Sequence, residues 1–237
     1  MKVYLNPTHV PALKRRLRDA LPNLGASVRI EAVARGLGFN TYAGFQARLN
    51  TGHLVADFDE PAFIDFLRER DAHAEPRTLQ RCVIRALMEP VIESDARLTT
   101  HGFGVPRQHY PGEKYAQELT RSRAEFYDDA SCDQFELALE FLQRCDRRKT
   151  LNRDFSTYGL KHKAENISRE YKIRTELGDY VSNGLLIVAA LYEGFSVQQI
   201  DWDSLNGVLN ISTKSVRKFR DRSSVQSLFE DELENAA

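Results

Sequence analysis

The sequence predicts an all-α, multi-helix protein, and three observations carry that reading. Leu185 to Leu191 is an unbroken apolar run with no polar face, the mark of a helix buried on every side. Tyr192, Glu193 and Gly194 end it well short of the ~20 residues a bilayer span needs. Elsewhere apolar residues recur at helical spacing behind recognisable caps, and no period-two alternation is long enough to build a sheet.

Taken in order, Thr8 is the expected cap of a helix with Val10, Leu13, Leu17 and Leu21 on one stripe, broken by Pro22, Asn23 and Gly25. Ser27 is the expected cap of a second, with Ile30, Val33, Ala34 and Leu37 inward and Gly38 as its stop. A third starts at Asn40 or Thr41 and turns Tyr42, Phe45 and Leu49 inward. Asp59 and Pro61 open a fourth. The next, with Leu79, Cys82, Val83, Ala86 and Leu87 in line, is expected to stop or kink at Pro90, which donates no hydrogen bond.

Residues 94–113 hold Gly102, Gly104, Pro106, Pro111 and Gly112 and are expected to be irregular, a connection between an N-terminal helical domain, 1–93, and a C-terminal one, 114–237. Within the latter, Tyr115 to Tyr127 and Asp133 to Cys145 are expected helices, joined by a basic link, Arg144 to Arg153, to the stretch Tyr158 to Phe195. There Leu160, Ala164, Ile167 and Tyr171 mark a charged amphipathic helix that leads into the buried helix, 180–193. Ser212 or Thr213 caps a short basic helix through Val216 and Phe219, and a last helix, Ser224 to Glu234, ends in acid.

Composition bounds the function classes. The net charge of −1 hides segregation: Lys14, Arg15, Arg16 and Arg18 cluster early, Arg144, Arg147, Arg148, Lys149 and Arg153 centrally, and Glu230, Asp231, Glu232 and Glu234 lie in the tail. Local field therefore matters more than the whole-chain charge. Cys82, Cys132 and Cys145 are odd in number and widely spaced, which fits reduced core thiols rather than a disulfide framework or a zinc site. MKVYLNPTHV lacks the apolar region of a signal peptide, so the expected location is cytoplasmic. His101 and His109 match no metal spacing, and there is no phosphate loop, dinucleotide fingerprint or nucleophile elbow; no metal and no cofactor are expected.

Three constellations bear on function. Residues 27–50 set two short helices around Gly38, with Ala34 small enough for their crossing, as in a helix-turn-helix; Asn40, Thr41, Gln46 and Arg48 would reach base edges or phosphates. A hairpin doing only core work has the same pattern, and the register sets Gly44 where an aliphatic residue is usual. The second is Leu209 to Arg222, similar to the turn and recognition helix of bacterial regulators, with Ser212, Thr213, Lys214, Arg217, Lys218, Arg220 and Arg222 toward phosphate and residues 196–205 as the preceding helix. A solvated basic helix facing the acidic tail explains it equally. The third is an anion site at the start of helix 180–193, using Ser182 and Asn183 with Tyr158, Lys161 and His162, which ordinary capping also explains.

EAVARGLGFNTYAGFQARL, and YGLKHKAE followed by YVSNGLLIVAALYEGF, resemble segments of uncharacterised bacterial proteins carried on plasmids and integrated elements. The first also resembles a small helical region labelled glyoxalase-related, yet the metal ligands of a glyoxalase have no counterpart here, so no activity comes with the likeness. What the resemblance implies is a mobile-element setting.

The expected function is thus nucleic-acid binding and transcription regulation on duplex DNA, with a homodimer reading two half-sites. The alternatives are a module that inhibits or adapts a protein partner, and a small-molecule enzyme or sensor built on the third constellation.

Overall fold

The computed structural model describes residues 3–52, 54–56 and 58–234. The chain divides into two units, one ending at Pro90 and the other starting at Val91. The fold is mixed α/β, 58% helix and 12% strand with three small antiparallel sheets, which corrects the all-α expectation. None of the described helices is long and apolar enough to cross a membrane.

In the first unit, β1 (Val3–Leu5) precedes α1 (Val10–Ala20), α2 (Ala26–Gly36), α3 (Tyr42–Asn50), β2 (Leu54–Ala56), α4 (Glu60–Arg68) and the start of α5 (Thr78–Ser94). β1 and β2 pair antiparallel with Tyr4 opposite Val55. Asn6, not Thr8, caps the turn before α1, and α2 starts behind Gly25 rather than Ser27. The stop of α2 is as its sequence implies. Gly38 takes φ +79°, Phe39 N–H reaches Ala34 O at 2.8 Å, and Gly38 N–H reaches Arg35 O at 3.0 Å, closing the helix as a Schellman motif. Val33, Ala34, Leu37, Phe45 and Leu49 form the local core. Helix α5 runs on through Pro90 to Ser94, where a stop or kink was expected.

In the second unit, β3 (Leu98–Thr99) and β4 (Gly102–Phe103) make a tight hairpin inside the segment expected to be irregular. Then come α6 (Glu113–Ala124), α7 (Asp129–Leu142), β5 (Arg147–Ser156), α8 (Thr157–Arg169), α9 (Asn183–Tyr192), β6 (Val197–Gln199), β7 (Gly207–Ile211), α10 (Thr213–Lys218) and α11 (Arg222–Glu234). The core is α7 and α9, with α9 buried from Asn183 to Ala190, flanked by α8. One antiparallel sheet has the order β5-β7-β6.

The expected basic link is therefore largely strand β5, and the expected helix over 196–205 is β6 and the turn after it, so the basic segment of α10 follows a hairpin and is no helix-turn-helix. The reason is physical. β7 is buried at all five positions and shows no alternation, while β5 lies at an edge and slips register twice, which breaks any period of two. The side chains of Asp231, Glu232 and Glu234 in the acidic tail lie outside the described set.

Candidate nucleic-acid interface

The sheet brings two basic clusters together that lie some sixty residues apart in the chain. Arg147 stands opposite Ile211, and Asn152 opposite Leu209, so β5 advances five residues while β7 advances two. The surplus residues of β5 bulge away from the ladder and carry Arg148 and Lys149 into solvent. Both ends of this bulge are tied to α10. At one end Asp146 N–H donates to Ser215 Oγ at 3.0 Å, that hydroxyl donates to Asp146 Oδ2 at 2.8 Å, and Ser212 N–H donates to Asp146 O at 2.9 Å. At the other, the buried Asn152 carboxamide donates to Ile211 O at 3.0 Å and Thr213 Oγ1 at 2.9 Å. Arg153 and Lys214 each adjoin a member of that Asn152–Thr213 pair.

Helix α10 is capped by Ser212 Oγ on Ser215 N–H and anchored by buried Val216, with Phe219 buried just beyond its end, which leaves Lys214, Arg217 and Lys218 exposed. Among the described residues Arg148, Lys149, Arg153, Lys214, Arg217 and Lys218 have no carboxylate partner. Arg220 is held by Asp221 at 3.0 Å, and the Asp221 carboxyl lies well below the usual range because Ser224 N–H, Ser223 and Arg220 all bond it. Arg147 is spent on the carbonyls of Glu193 and Gly194, and Arg144 on Glu140. Asp146 and Asp154 are acidic residues exposed among these cations. Comparison with protein families, curated proteins and solved structures finds no match for this chain.

The other sequence-derived residues fall in different places. Thr41 caps α3 by accepting Gly44 N–H at 3.1 Å, Arg48 bonds Thr51 Oγ1, and Asn40 and Gln46 are exposed. Arg48 is the one cation of α3, and the early basic cluster is partly consumed, since Arg15 and Arg16 both pair with the buried Glu89 carboxylate. Phe45 takes the inward place on α3, edge-on to Phe39 at 5.6 Å, and Gly44 is exposed.

At the start of α9 the Gly184 and Leu185 amides, which an anion would use, are occupied. Ser182 Oγ accepts Leu185 N–H, Gly184 N–H donates to Thr100 O at 3.0 Å, and Asn183 Nδ2 donates to His101 O and Leu205 O. Asn183 and Gly184 thus lock the β3–β4 turn onto the helix. Beside them is a cleft of about 330 Å³ lined by Thr100, His101, Glu125, Asp128, Gln134 and Tyr180, with Glu125 paired to Arg121 at 2.9 Å.

Tyr158, Lys161 and His162 do come together, on the first turns of α8. Lys161 is buried and donates to Glu165 Oε1 at 2.7 Å; His162 Nδ1 lies 2.6 Å from Glu165 Oε2. Burial alone would raise the Glu165 pKa, but the bonds from Lys161, His162 and Val181 N–H outweigh it and hold the carboxyl below its usual value. Glu165 and Tyr180, whose ring lies against the same ammonium, were not singled out in the sequence, although Lys161 and Glu165 stand four apart, the spacing of a helical ion pair. Among the described residues no group of three or more His, Cys, Asp or Glu is placed to hold a metal ion.

Proposed function

We propose that this chain binds nucleic acid through the cations of β5 and α10. The observation that carries the reading is the Asn152 carboxamide, which pins the β5 bulge to the first turn of α10 and so joins two distant segments whose exposed arginines and lysines have no carboxylate partner among the described residues. Unpaired cations on a folded surface repel one another, and a polyanion relieves that repulsion while releasing its own counterions. A regulatory role in a mobile element rests on the resemblance alone. A cytoplasmic setting accords with three buried, unbridged thiols.

The test is an electrophoretic shift and anisotropy titration over a salt series, with duplex and single-stranded DNA. With each unpaired cation meeting one phosphate, log K falls against log salt with a slope of about −5 for duplex and about −4 for a single strand. Reversal of Lys214, Arg217 and Lys218 to glutamate is expected to abolish binding without unfolding the protein, since all three are exposed. Unaltered affinity in that variant, or no binding to either form of DNA at low salt, sinks the proposal.

A further inference from the structure

Two exposed tyrosines of the second unit are held from beneath by one buried ammonium. Tyr158 follows the last residue of β5 by two positions and is 53% exposed; Tyr180, on the approach to α9, is 56% exposed. Both rings lie against the same buried ammonium, Lys161 Nζ, at 5.3 and 4.8 Å from their centroids, so the centroids stand no more than about 10 Å apart.

One buried carboxylate fixes the whole arrangement. Glu165 Oε1 accepts from Lys161 and, at 3.2 Å, from the N–H of Val181, the residue after Tyr180. Glu165 Oε2 takes His162 Nδ1, and the imidazole meets the Tyr158 ring edge-on, 4.9 Å between centroids at 88°. Desolvating a lysine and a glutamate is costly before their attraction offsets it, so this is an expensive way to hold two side chains that bury so little of themselves. The result is a pair of aromatic surfaces, ordered in advance, facing water.

We infer that Tyr158 and Tyr180 are stacking platforms for unpaired bases, so that the ligand of the β5–α10 surface is single-stranded nucleic acid. The inference rests on the phosphate-binding reading of that surface. A duplex hides its base faces in its own stack, whereas a single strand presents one with every nucleotide. Arg153 is five residues from Tyr158, at most about 17 Å along an extended chain, within the 4–16 nucleotides that a compact single-strand-binding fold covers. Phosphates would track Arg148, Lys149 and Arg153 while bases lie on the tyrosines.

The experiment is a fluorescence anisotropy titration of the full chain with a labelled oligothymidine of about 20 nucleotides, an abasic strand of equal length, and a duplex. Tyr158→Ala and Tyr180→Ala are each expected to weaken oligothymidine binding about tenfold, and loss of the bases in the abasic strand at least as much; Tyr158→Phe and Tyr180→Phe keep wild-type affinity. Circular dichroism checks that the alanine variants stay folded. Equal affinity for abasic strand and oligothymidine, alanine variants that bind like wild type, or binding to duplex alone would overturn the stacking inference and leave the phosphate reading intact. Binding to none of the three probes removes both.

Discussion

Replacing one member of the Lys161–Glu165 pair is expected to hurt the second unit more than replacing both. The side chains are 6% and 2% exposed with 2.7 Å between nitrogen and oxygen, so each deletion strands a charge away from water. Breaking such a pair costs about 3–5 kcal/mol. Lys161→Met belongs at the lower end, because Glu165 keeps His162 and Val181 N–H and has Arg169 at 3.6 Å. Glu165→Leu belongs at the upper end, because the ammonium is left with two tyrosine rings, each worth about 0.5–2 kcal/mol. In the double variant both charges are gone and what remains unsatisfied is chiefly the Val181 amide, about 1–3 kcal/mol. The double change should therefore cost less than either single, and less than their sum by about 5 kcal/mol. Urea unfolding followed through Trp202, the sole tryptophan and a residue of this unit, reads the three values. Strictly additive costs would refute the reasoning. The pH dependence has a definite sign: the folded pKa of Glu165 lies below 4.5, so its stabilisation is fully present above that value and is lost as pH falls through the folded one. The gap between wild type and Glu165→Leu should narrow as pH falls below 4.5.

The remaining predictions concern packing and thiols. A Cβ on Gly184 would run into the Thr99 carbonyl and come within 2.9 Å of Thr100 Cα, both backbone, so Gly184→Ala should lose about 1–3 kcal/mol or more in a thermal melt. Gly159→Ala, whose nearest neighbour is Ser156 Oγ at 3.8 Å in the first turn of α8, should be neutral or gain up to about 1 kcal/mol; a reversed order would contradict the packing described. Cys82 is pushed up to about 12 by burial, Cys145 is raised for the same reason, and Cys132 is fully buried. A thiol-disulfide reagent should find no reactive thiol in native protein and three after denaturation, and prompt labelling of the native form would count against the core placement.

Much of the helical framework was legible because its signals are local. The apolar run of α9, the stripe Leu13, Leu17 and Leu21, the stop at Gly38, and the caps Thr41, Asp59 and Ser212 each need only a few neighbouring residues, and each stands where its chemistry implies. The strands were illegible for reasons of length and register. β1 and β6 have three residues each, β7 is buried at every position, and β5 exposes neighbours of both parities. The site suffered the same way. The cations around Arg148 and those around Arg217 cannot be connected by spacing when what links their segments is a sheet pairing; the bond that joins them comes from Asn152, a residue whose sequence context gives no hint of a buried carboxamide. Charge counting likewise could not separate Arg144 and Arg147, which hold the fold, from Arg148, Lys149 and Arg153, which do not.

Edge protection is the obvious rival explanation for charges on β5, since an open strand edge invites pairing with another chain. It explains too little. Two register slips already spoil β5 as a template, and β6, the opposite edge of the same sheet, carries Val197, Gln198 and Gln199 with no cation. Helix electrostatics fares no better on α10. Arg217 and Lys218 in its last turn are favoured by the helix dipole, but Lys214 stands in the first turn, where the positive end opposes it. Lys214 thus stands against its own helix with no carboxylate partner among the described residues, next in sequence to the Thr213 that Asn152 bonds, and on the proposed function a phosphate chain along β5 would compensate it.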